Sequence, residues 1–227
     1  MPASVGNLKP DMARAKVAGL ILAGGEAQRM GRRDKAWMLL DGKPLVQLVL
    51  DRLSPQVDWL LISANQSHAA YQERGLRVVS DTPAWSGMGP LAGLASAVSH
   101  LPSDVDLLQL MPCDTPLLPM DLVTRLQAQL AANPACQLCY PQTVRGPEPG
   151  MLLVRVAVLS TLDDYLQQGG RSLMGWLATL ATCTVDFNAT EAFANINDLA
   201  SLRQLEQQLQ RRLRCVHSLD THYDGLL

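Results

Sequence analysis

The sequence of 227 residues lacks an apolar run long enough to cross a membrane. Its longest purely apolar stretch near a terminus is Val17–Ala23, whereas a bilayer-spanning helix needs about 20 such residues. A glycine pair follows this stretch directly, which also disfavours a secretory signal peptide. We therefore expect a cytoplasmic protein without a membrane partner.

A surplus of positive charge is also absent. The 19 lysines and arginines are set against 21 aspartates and glutamates, which gives a formal net charge of −2. Proteins bind duplex nucleic acid chiefly through clustered positive charge, so we expect no nucleic-acid partner. If the protein handles phosphates, it must do so with a few local cations.

The five cysteines do not form the set of ligands that a structural zinc ion requires. Cys136 and Cys139 form a single C-x-x-C motif with no second pair to complete it. We interpret the cysteines as reduced thiols of an intracellular protein. A zinc or redox role for the pair is the alternative.

The composition indicates neither a disordered chain nor a coiled coil, because 48% of the residues are hydrophobic and only 18% are charged. A chain of 24.7 kDa can bury a substantial core without disulfides or metals. There is no internal repeat and no low-complexity linker. We predict a flexible leader over residues 1–16, a single domain over 17–212 and a loose C-terminal tail over 213–227.

Strand-like and helix-like segments alternate along the chain. Apolar, β-branched runs predict strands, and apolar residues at helical spacing predict helices. The predicted strands are Val17–Leu22, Trp59–Ser63, Leu76–Ser80, Val105–Met111, Gln137–Pro141 and Met151–Val156, with short extended pieces at Cys183–Phe187 and Ala192–Ile196. The predicted helices are Pro44–Leu53, Pro90–Leu101, Met120–Ala132, Val156–Gln167, Ser172–Ala181 and Asp198–Arg212, with Asn197 or Asp198 as the cap of the last. This alternation is typical of an α/β fold with a mainly parallel sheet and helices on both faces.

The loop after the first strand is suited to hold phosphates. Gly24 and Gly25 let the backbone approach a ligand and turn its N–H groups toward an anion, and Arg29 and Lys35 add positive charge. No Gly-Lys-Ser/Thr closes the loop, so it is not a Walker A motif. A glycine-rich turn with solvated basic residues is the alternative interpretation.

Polar residues follow the later strands, where open parallel sheets bind their ligands. Asn65 and Asp81 could bond a base or ribose, although residues of this kind more often cap turns. Asp114 suits a magnesium ion, which prefers one or two carboxylates plus substrate phosphate oxygens. An Asx turn is the alternative for Asp114. The adjacent Cys113 has no histidine near it in sequence and is not expected to act as a nucleophile.

Several segments of the sequence form one recognisable series. They are Leu22-Ala23-Gly24-Gly25, Arg29-Met30-Gly31, Asp34-Lys35, Asp81, Gly89-Pro90-Leu91-Ala92-Gly93, Cys113-Asp114-Thr115-Pro116 and Ala192-Phe193-Ala194-Asn195-Ile196-Asn197. Together they resemble the motifs of one family, the MobA-type molybdenum cofactor guanylyltransferases. The resemblance extends from Val17 to Leu205. Several kinds of nucleotidyltransferase share the first loop. The Gly-Pro-Leu-Ala-Gly segment and the Asn-x-Asn ending favour this family among them.

The resemblance implies a Rossmann-like mixed, mainly parallel sheet of the nucleotide-diphosphosugar transferase type. It also implies transfer of GMP from GTP to the terminal phosphate of molybdopterin-bound molybdenum cofactor, with release of pyrophosphate. Apo-molybdoenzymes or their chaperones are the implied further partners.

The implied site residues follow from the matched motifs. Arg29, Lys35 and Asp114 are implied as catalytic, and Asp114 is the implied ligand of Mg²⁺. The implied binding residues are Leu22, Ala23, Gly24, Gly25, Lys35, Asn65, Asp81 and Asp114 around the nucleotide, and Asn195 and Asn197 on the acceptor side.

Other functions remain open at this point. Glu148-Pro149 matches the family's polar-proline pair only loosely, so the pterin end is the weakest part of the match. The alternatives are a cytidylyltransferase on the same pterin, a sugar-phosphate nucleotidyltransferase and a non-catalytic cofactor carrier of the same fold. The glycines from Gly87 to Gly93 nearly match a dinucleotide-binding fingerprint, but their spacing is wrong by one.

Overall fold

The structure is a computed structural model that describes residues 14–24 and 34–220, with side chains described up to residue 211. The strands are β1 (Val17–Leu22), β2 (Leu39–Leu40), β3 (Lys43–Pro44), β4 (Trp59–Ser63), β5 (Val78–Val79), β6 (Leu107–Pro112), β7 (Leu138–Thr143), β8 (Gly146–Pro147), β9 (Leu153–Arg155) and β10 (Thr182–Asp186). The α-helices are α1 (Leu45–Leu53), α2 (His68–Gln72), α3 (Pro90–Val98), α4 (Leu122–Ala132), α5 (Ser160–Gln167), α6 (Leu173–Leu177) and α7 (Leu199–Asp220). Short 3₁₀ turns lie at Lys35–Trp37, Ser54–Gln56, Pro149–Met151, Val156–Val158 and Thr190–Phe193.

The main sheet is mixed, with strand order β10-β7-β9-β6-β1-β4-β5 and β8 paired to β7. The central strand β1 runs parallel to β4 and β6, and β4–β5 and β7–β10 are parallel as well. Strand β9 lies antiparallel between β6 and β7. The chain reaches β9 from β7 through the short β8 hairpin and a 3₁₀ turn, and a connection this short joins antiparallel strands. The predicted mixed, mainly parallel sheet is confirmed.

Helices cover both faces of the sheet because alternate residues of β1 point to opposite sides. Val17 and Ile21 pack into a buried cluster with residues of α1 and α4. Ala18 and Leu20 pack into a second cluster with residues of α3, α5 and α6, among them the fully buried Trp176. Such a strand, buried on both faces, is a nearly continuous apolar run, as parallel strands usually are.

Some predicted elements differ in extent from those observed. The third predicted strand, Leu76–Ser80, is a strand only at Val78–Val79, and the expected extended piece at Ala192–Ile196 begins as a 3₁₀ turn. The helix predicted to end at Arg212 continues to Asp220. The β2–β3 hairpin and α2 were not predicted, since strands of two residues and a helix of five show no periodicity.

The predicted leader is anchored where it meets the domain. Residues 1–13 lie outside the described part of the chain. The Lys16 backbone N–H donates to Asp106 at 2.8 Å, and the Lys16 ammonium pairs with Asp104. Gln127 donates to the carbonyl of Ala15 at 2.9 Å. The predicted domain boundaries remain predictions.

Residues 14–24 and 34–220 include no helix that is long and apolar enough to span a bilayer.

Gly93 in α3 lies where any larger residue would meet the ends of two strands. A Cβ atom there would clash with Ser63 Oγ and lie 3.0 Å from Leu22 Cδ2. Overpacking of this kind costs about 1–3 kcal/mol, and the better helix propensity of alanine returns at most about 1 kcal/mol. We expect Gly93→Ala to lower the free energy of unfolding by about 1–2 kcal/mol, measured by urea denaturation.

Gly150→Ala is the matched control, because a Cβ at Gly150 would meet open space and the residue has no positive φ. We expect this variant to stay within about 0.5 kcal/mol of the wild type. Equal stability of the two alanine variants would contradict a tight contact between α3 and the ends of β1 and β4.

Candidate active site

The candidate site lies at the edge of the sheet where β1, β4, β5 and β6 end. These strands are parallel neighbours, so the residues that follow them lie side by side. The ladder continues for one step beyond the strands: Ala23 N–H donates to Ser63 O at 2.8 Å, and Cys113 N–H donates to Leu22 O at 3.1 Å. Backbone donation to a bound anion therefore has to begin after Ala23.

Lys35 joins two distant parts of the chain. Its ammonium lies 2.5 Å from Asp114 Oδ2 and 2.9 Å from Asn197 Oδ1. The Lys35 and Asp114 side chains are 20% and 16% exposed, so water screens their ion pair less than one on the open surface. The predicted residues Lys35, Asp114 and Asn197 thus meet in one cluster.

The segment around Asn195 is fixed to the end of β6. Ile196 N–H donates to the carbonyl of Asp114 at 2.9 Å, and Thr115 Oγ1 donates to Asn195 Oδ1 at 2.5 Å. These two bonds place Asn195 beside Asp114.

Asp198, and not Asn197, caps helix α7. Ser201 N–H donates to Asp198 Oδ1 at 2.7 Å, and the Ser201 hydroxyl accepts the Asp198 N–H at 3.1 Å. The hydrogen bonds from Ser201 hold the pKa of the Asp198 carboxyl below its usual value. Because Asp198 caps the helix, the amide oxygen of Asn197 can face Lys35.

Asn65 and Asp81 bond each other reciprocally across the ends of β4 and β5. The Asn65 amide donates to Asp81 Oδ2 at 2.9 Å, and Asn65 Oδ1 accepts the Asp81 N–H at 2.9 Å. A Cβ added at Gly24 would lie 3.5 Å from the Asn65 amide nitrogen. The pair therefore lies directly against the start of the glycine-rich loop, with the orientation of both side chains fixed.

Cys113 is poorly suited to act as a nucleophile. Burial, with a smaller contribution from the charge of Asp114, raises the pKa of its thiol to about 12. A thiol with so high a pKa is almost entirely protonated near neutral pH, and the thiolate is the reactive form.

Two of the predicted site residues, Gly25 and Arg29, lie outside the described residues. For the others the structure provides positions, and their roles in binding and catalysis remain predictions. Asp34 and Thr115 lie inside the matched motifs but had no predicted role, and Ser67 was not predicted because no local pattern marks it.

The donor atoms beside Asp114 suit a hard cation. Asp114 and Asn197 direct two oxygens at one point, which the Lys35 ammonium occupies. Among the side chains described, those of residues 14–24 and 34–211, no three His, Cys, Asp or Glu form a metal-binding group. A single carboxylate is nevertheless sufficient for Mg²⁺, which takes its remaining ligands from water and substrate phosphates.

One cysteine of the C-x-x-C motif, Cys139, is buried and lies in register with Cys183 of β10.

Known proteins match most of the chain. The family model of the MobA-like NTP transferase domain matches residues 19–182. A molybdenum cofactor guanylyltransferase of Burkholderia lata is 42% identical over 208 residues, which cover 88% of this chain and 100% of that protein.

Solved structures confirm the predicted fold class. Molybdopterin-guanine dinucleotide biosynthesis protein A of Archaeoglobus fulgidus superimposes with a TM-score of 0.68 at 21% identity, over 86% of this chain and 99% of that one. CMP:2-keto-3-deoxy-manno-octonic acid synthetase superimposes with a TM-score of 0.68 at 15% identity, over 87% and 100% of the two chains. The fold is therefore that of the nucleotide-diphosphosugar transferases. By the extent of the family match and the identity to its full-length relatives, the chain belongs to the MobA-like family of molybdenum cofactor guanylyltransferases.

Proposed function

We propose that the protein transfers GMP from GTP to the terminal phosphate of molybdopterin-bound molybdenum cofactor and releases pyrophosphate. The main structural support is the cluster of Lys35, Asp114 and Asn197 at the carboxyl edge of the sheet, beside the start of the glycine-rich loop. The full-length relatives named as guanylyltransferases support the choice of substrates.

The chemistry requires charge neutralisation more than proton transfer. The acceptor phosphate is already anionic near neutral pH, so no general base is needed. The barrier lies in bringing two anionic phosphates together in line, which positioning and fixed positive charge can lower. Lys35 provides such a charge on a rigid turn, and we assign Arg29 the same task.

Asp114 is the residue that would hold Mg²⁺. The Asp114 carboxylate, which lies 2.5 Å from the Lys35 ammonium, is a hard oxygen donor that suits this ion, and a single carboxylate is sufficient because Mg²⁺ takes further ligands from water and phosphates. When bound, the ion would withdraw negative charge from phosphate oxygens. Asn65 and Asp81 would orient the nucleoside, since their mutual bonds fix both side chains against Gly24.

Calorimetric titration with GTP, CTP and ATP, each with magnesium, tests the choice of nucleotide. We expect binding of GTP in preference to the other two. A preference for CTP would keep the fold and the chemistry but replace the guanylyl by a cytidylyl transfer. Absence of binding by all three nucleotides, both with and without molybdopterin, would overturn the proposal.

A further inference from the structure

The Ser67 side chain bonds from outside to the start of the turn that contains Lys35. Both oxygens of the Asp34 carboxylate are bonded: Oδ1 accepts the Ala36 N–H at 3.1 Å, and Oδ2 accepts the Ser67 hydroxyl at 2.7 Å. The first bond caps the 3₁₀ turn Lys35–Trp37. The second connects that turn to the loop between β4 and α2, 33 positions further along the chain.

Ser67 occupies an unusual position for a serine. It stands directly before α2, where a serine side chain normally caps the helix, yet it makes no capping bond to α2. Its backbone is left-handed, with φ 58° and ψ 24°, a region that residues other than glycine adopt at an energetic cost. Among the described residues, its hydroxyl bonds only to Asp34. The Ser67 hydroxyl therefore bonds to Asp34, the cap of the turn Lys35–Trp37 (the lysine turn), and not to α2.

Helix α2 is a firm support for this bond. His68 Nε2 lies 2.7 Å from the carbonyl of Ala64 and 3.1 Å from Ser80 Oγ, which fixes the helix to the ends of β4 and β5. Tyr71 is fully buried, and its ring packs 5.0 Å from that of Trp37 at the other end of the turn. The turn is therefore held at both ends, by Ser67 at Asp34 and by Tyr71 at Trp37.

We propose that Ser67 is a positioning residue for Lys35. It touches neither nucleotide nor reacting atoms in this proposal, and it acts by fixing Asp34 and so the direction in which Lys35 leaves the turn. The inference rests on the proposed function in one respect only, the contact of Lys35 with substrate phosphates.

The expected effect falls on kcat more than on the KM for GTP. A misplaced ammonium still attracts a phosphate in the ground state, but transfer needs the charge at a defined position, and small displacements can lower rates by up to about 100-fold. We expect Ser67→Gly to lower kcat by roughly 10-fold or more, with a change of less than about threefold in KM.

Two substitutions separate the hydroxyl from the backbone. Glycine accepts the left-handed conformation without cost but has no donor, so a purely conformational role would leave Ser67→Gly at least as active as the wild type. Asparagine tolerates the same conformation and has an amide N–H that can donate to Asp34. We expect Ser67→Asn to retain most of the wild-type kcat.

Asp41→Gly is the matched control. Apart from glycines, only Asp41 and Ser67 have positive φ in the described part of the chain. Asp41 lies in the β2–β3 turn with φ 50°. Its side chain makes no bond to the lysine turn, so the same relief of backbone strain should leave kcat unchanged.

Hydrogen exchange of the amides at residues 34–38 provides a measurement that does not depend on the reaction. We expect faster exchange in Ser67→Gly than in the wild type, and wild-type rates in Ser67→Asn. If exchange and kcat in Ser67→Gly both equal those of the wild type, the proposal is wrong. If the wild type itself shows no turnover with GTP while the exchange pattern is as expected, the proposed function fails and the link from Ser67 to the turn stands.

Discussion

Asp114→Asn is expected to lower the kcat of magnesium-dependent nucleotidyl transfer by roughly 10²–10³-fold, the size seen when one preorganised electrostatic group is removed. The asparagine has nearly the same shape, so the change removes charge rather than volume. That charge would hold Mg²⁺ in the proposed mechanism, and it holds the Lys35 ammonium at 2.5 Å in the structure. The measurement is pyrophosphate release from GTP with molybdenum cofactor over a range of magnesium concentrations.

The fold should survive the Asp114→Asn substitution. An exposed ion pair contributes up to about 1 kcal/mol, and breaking a fully buried one costs about 3–5 kcal/mol. The Lys35–Asp114 pair lies between these limits, and Lys35 keeps Asn197 as a partner. We expect a loss of about 1–2 kcal/mol, which is small beside the 5–15 kcal/mol stability typical of a folded domain.

Asp106→Asn is the control for Asp114→Asn, because Asp106 precedes the same strand, β6, that Asp114 follows. Its carboxylate accepts the Lys16 N–H at the opposite end of the strand, and an asparagine oxygen can accept the same bond. This variant should keep wild-type turnover. Wild-type turnover in Asp114→Asn would remove Asp114 from the mechanism and leave the magnesium proposal without a ligand.

The parts of the site at strand ends were predictable because parallel strands impose a shared edge. Once short apolar runs ending at Ser63, Ser80 and Met111 are interpreted as parallel strands, the residues after them have to be neighbours. The proximity of Asn65 to Asp81 belongs to this predictable part, whereas their reciprocal bonds are seen only in the structure. Knowledge of the strand direction sufficed, and no side-chain geometry was needed.

Residues whose role depends on a distant partner were not predictable. Asn197 and Asp198 are both good helix caps, so only the Ser201 bonds to Asp198 show which one caps α7. Ser67 is similar, because its partner Asp34 is remote in sequence and no local pattern marks a left-handed serine. Local propensity has no information about such pairs.

The β2–β3 turn carries a local sequence signal. Asp41-Gly42 is a typical hairpin dipeptide, and both residues have positive φ in the β2–β3 turn. The flanking strands are only two residues long, so their hydrophobic pattern could not support the turn signal. The hairpin matters for the fold because Leu40 packs with Ile196, Leu202 and Leu205 and thus holds α7 beside the site.

Lys35→Glu is expected to weaken GTP binding by at least about 100-fold, since a hydrogen bond to a charged group contributes about 1.5–3 kcal/mol and the new carboxylate adds repulsion. The substitution also places a second carboxylate next to Asp114, where like charges oppose each other. Calorimetric titration with GTP and magnesium measures the loss.

Two further variants show whether the charge of Lys35 itself matters: one removes that charge, and the other reverses a different lysine. Lys35→Met keeps the apolar stem without the charge, so its loss of affinity should lie between those of the wild type and Lys35→Glu. Lys43→Glu reverses a lysine that is 63% exposed, pairs with Asp51 at 3.7 Å and makes no ion pair with Asp114, and it should bind GTP as the wild type does. Graded affinities in the order wild type, methionine, glutamate would show that the ammonium attracts phosphate directly. Equal affinities of all three would mean that the lysine serves only to pair with Asp114, and that Arg29 or the backbone of the glycine-rich loop holds the phosphates.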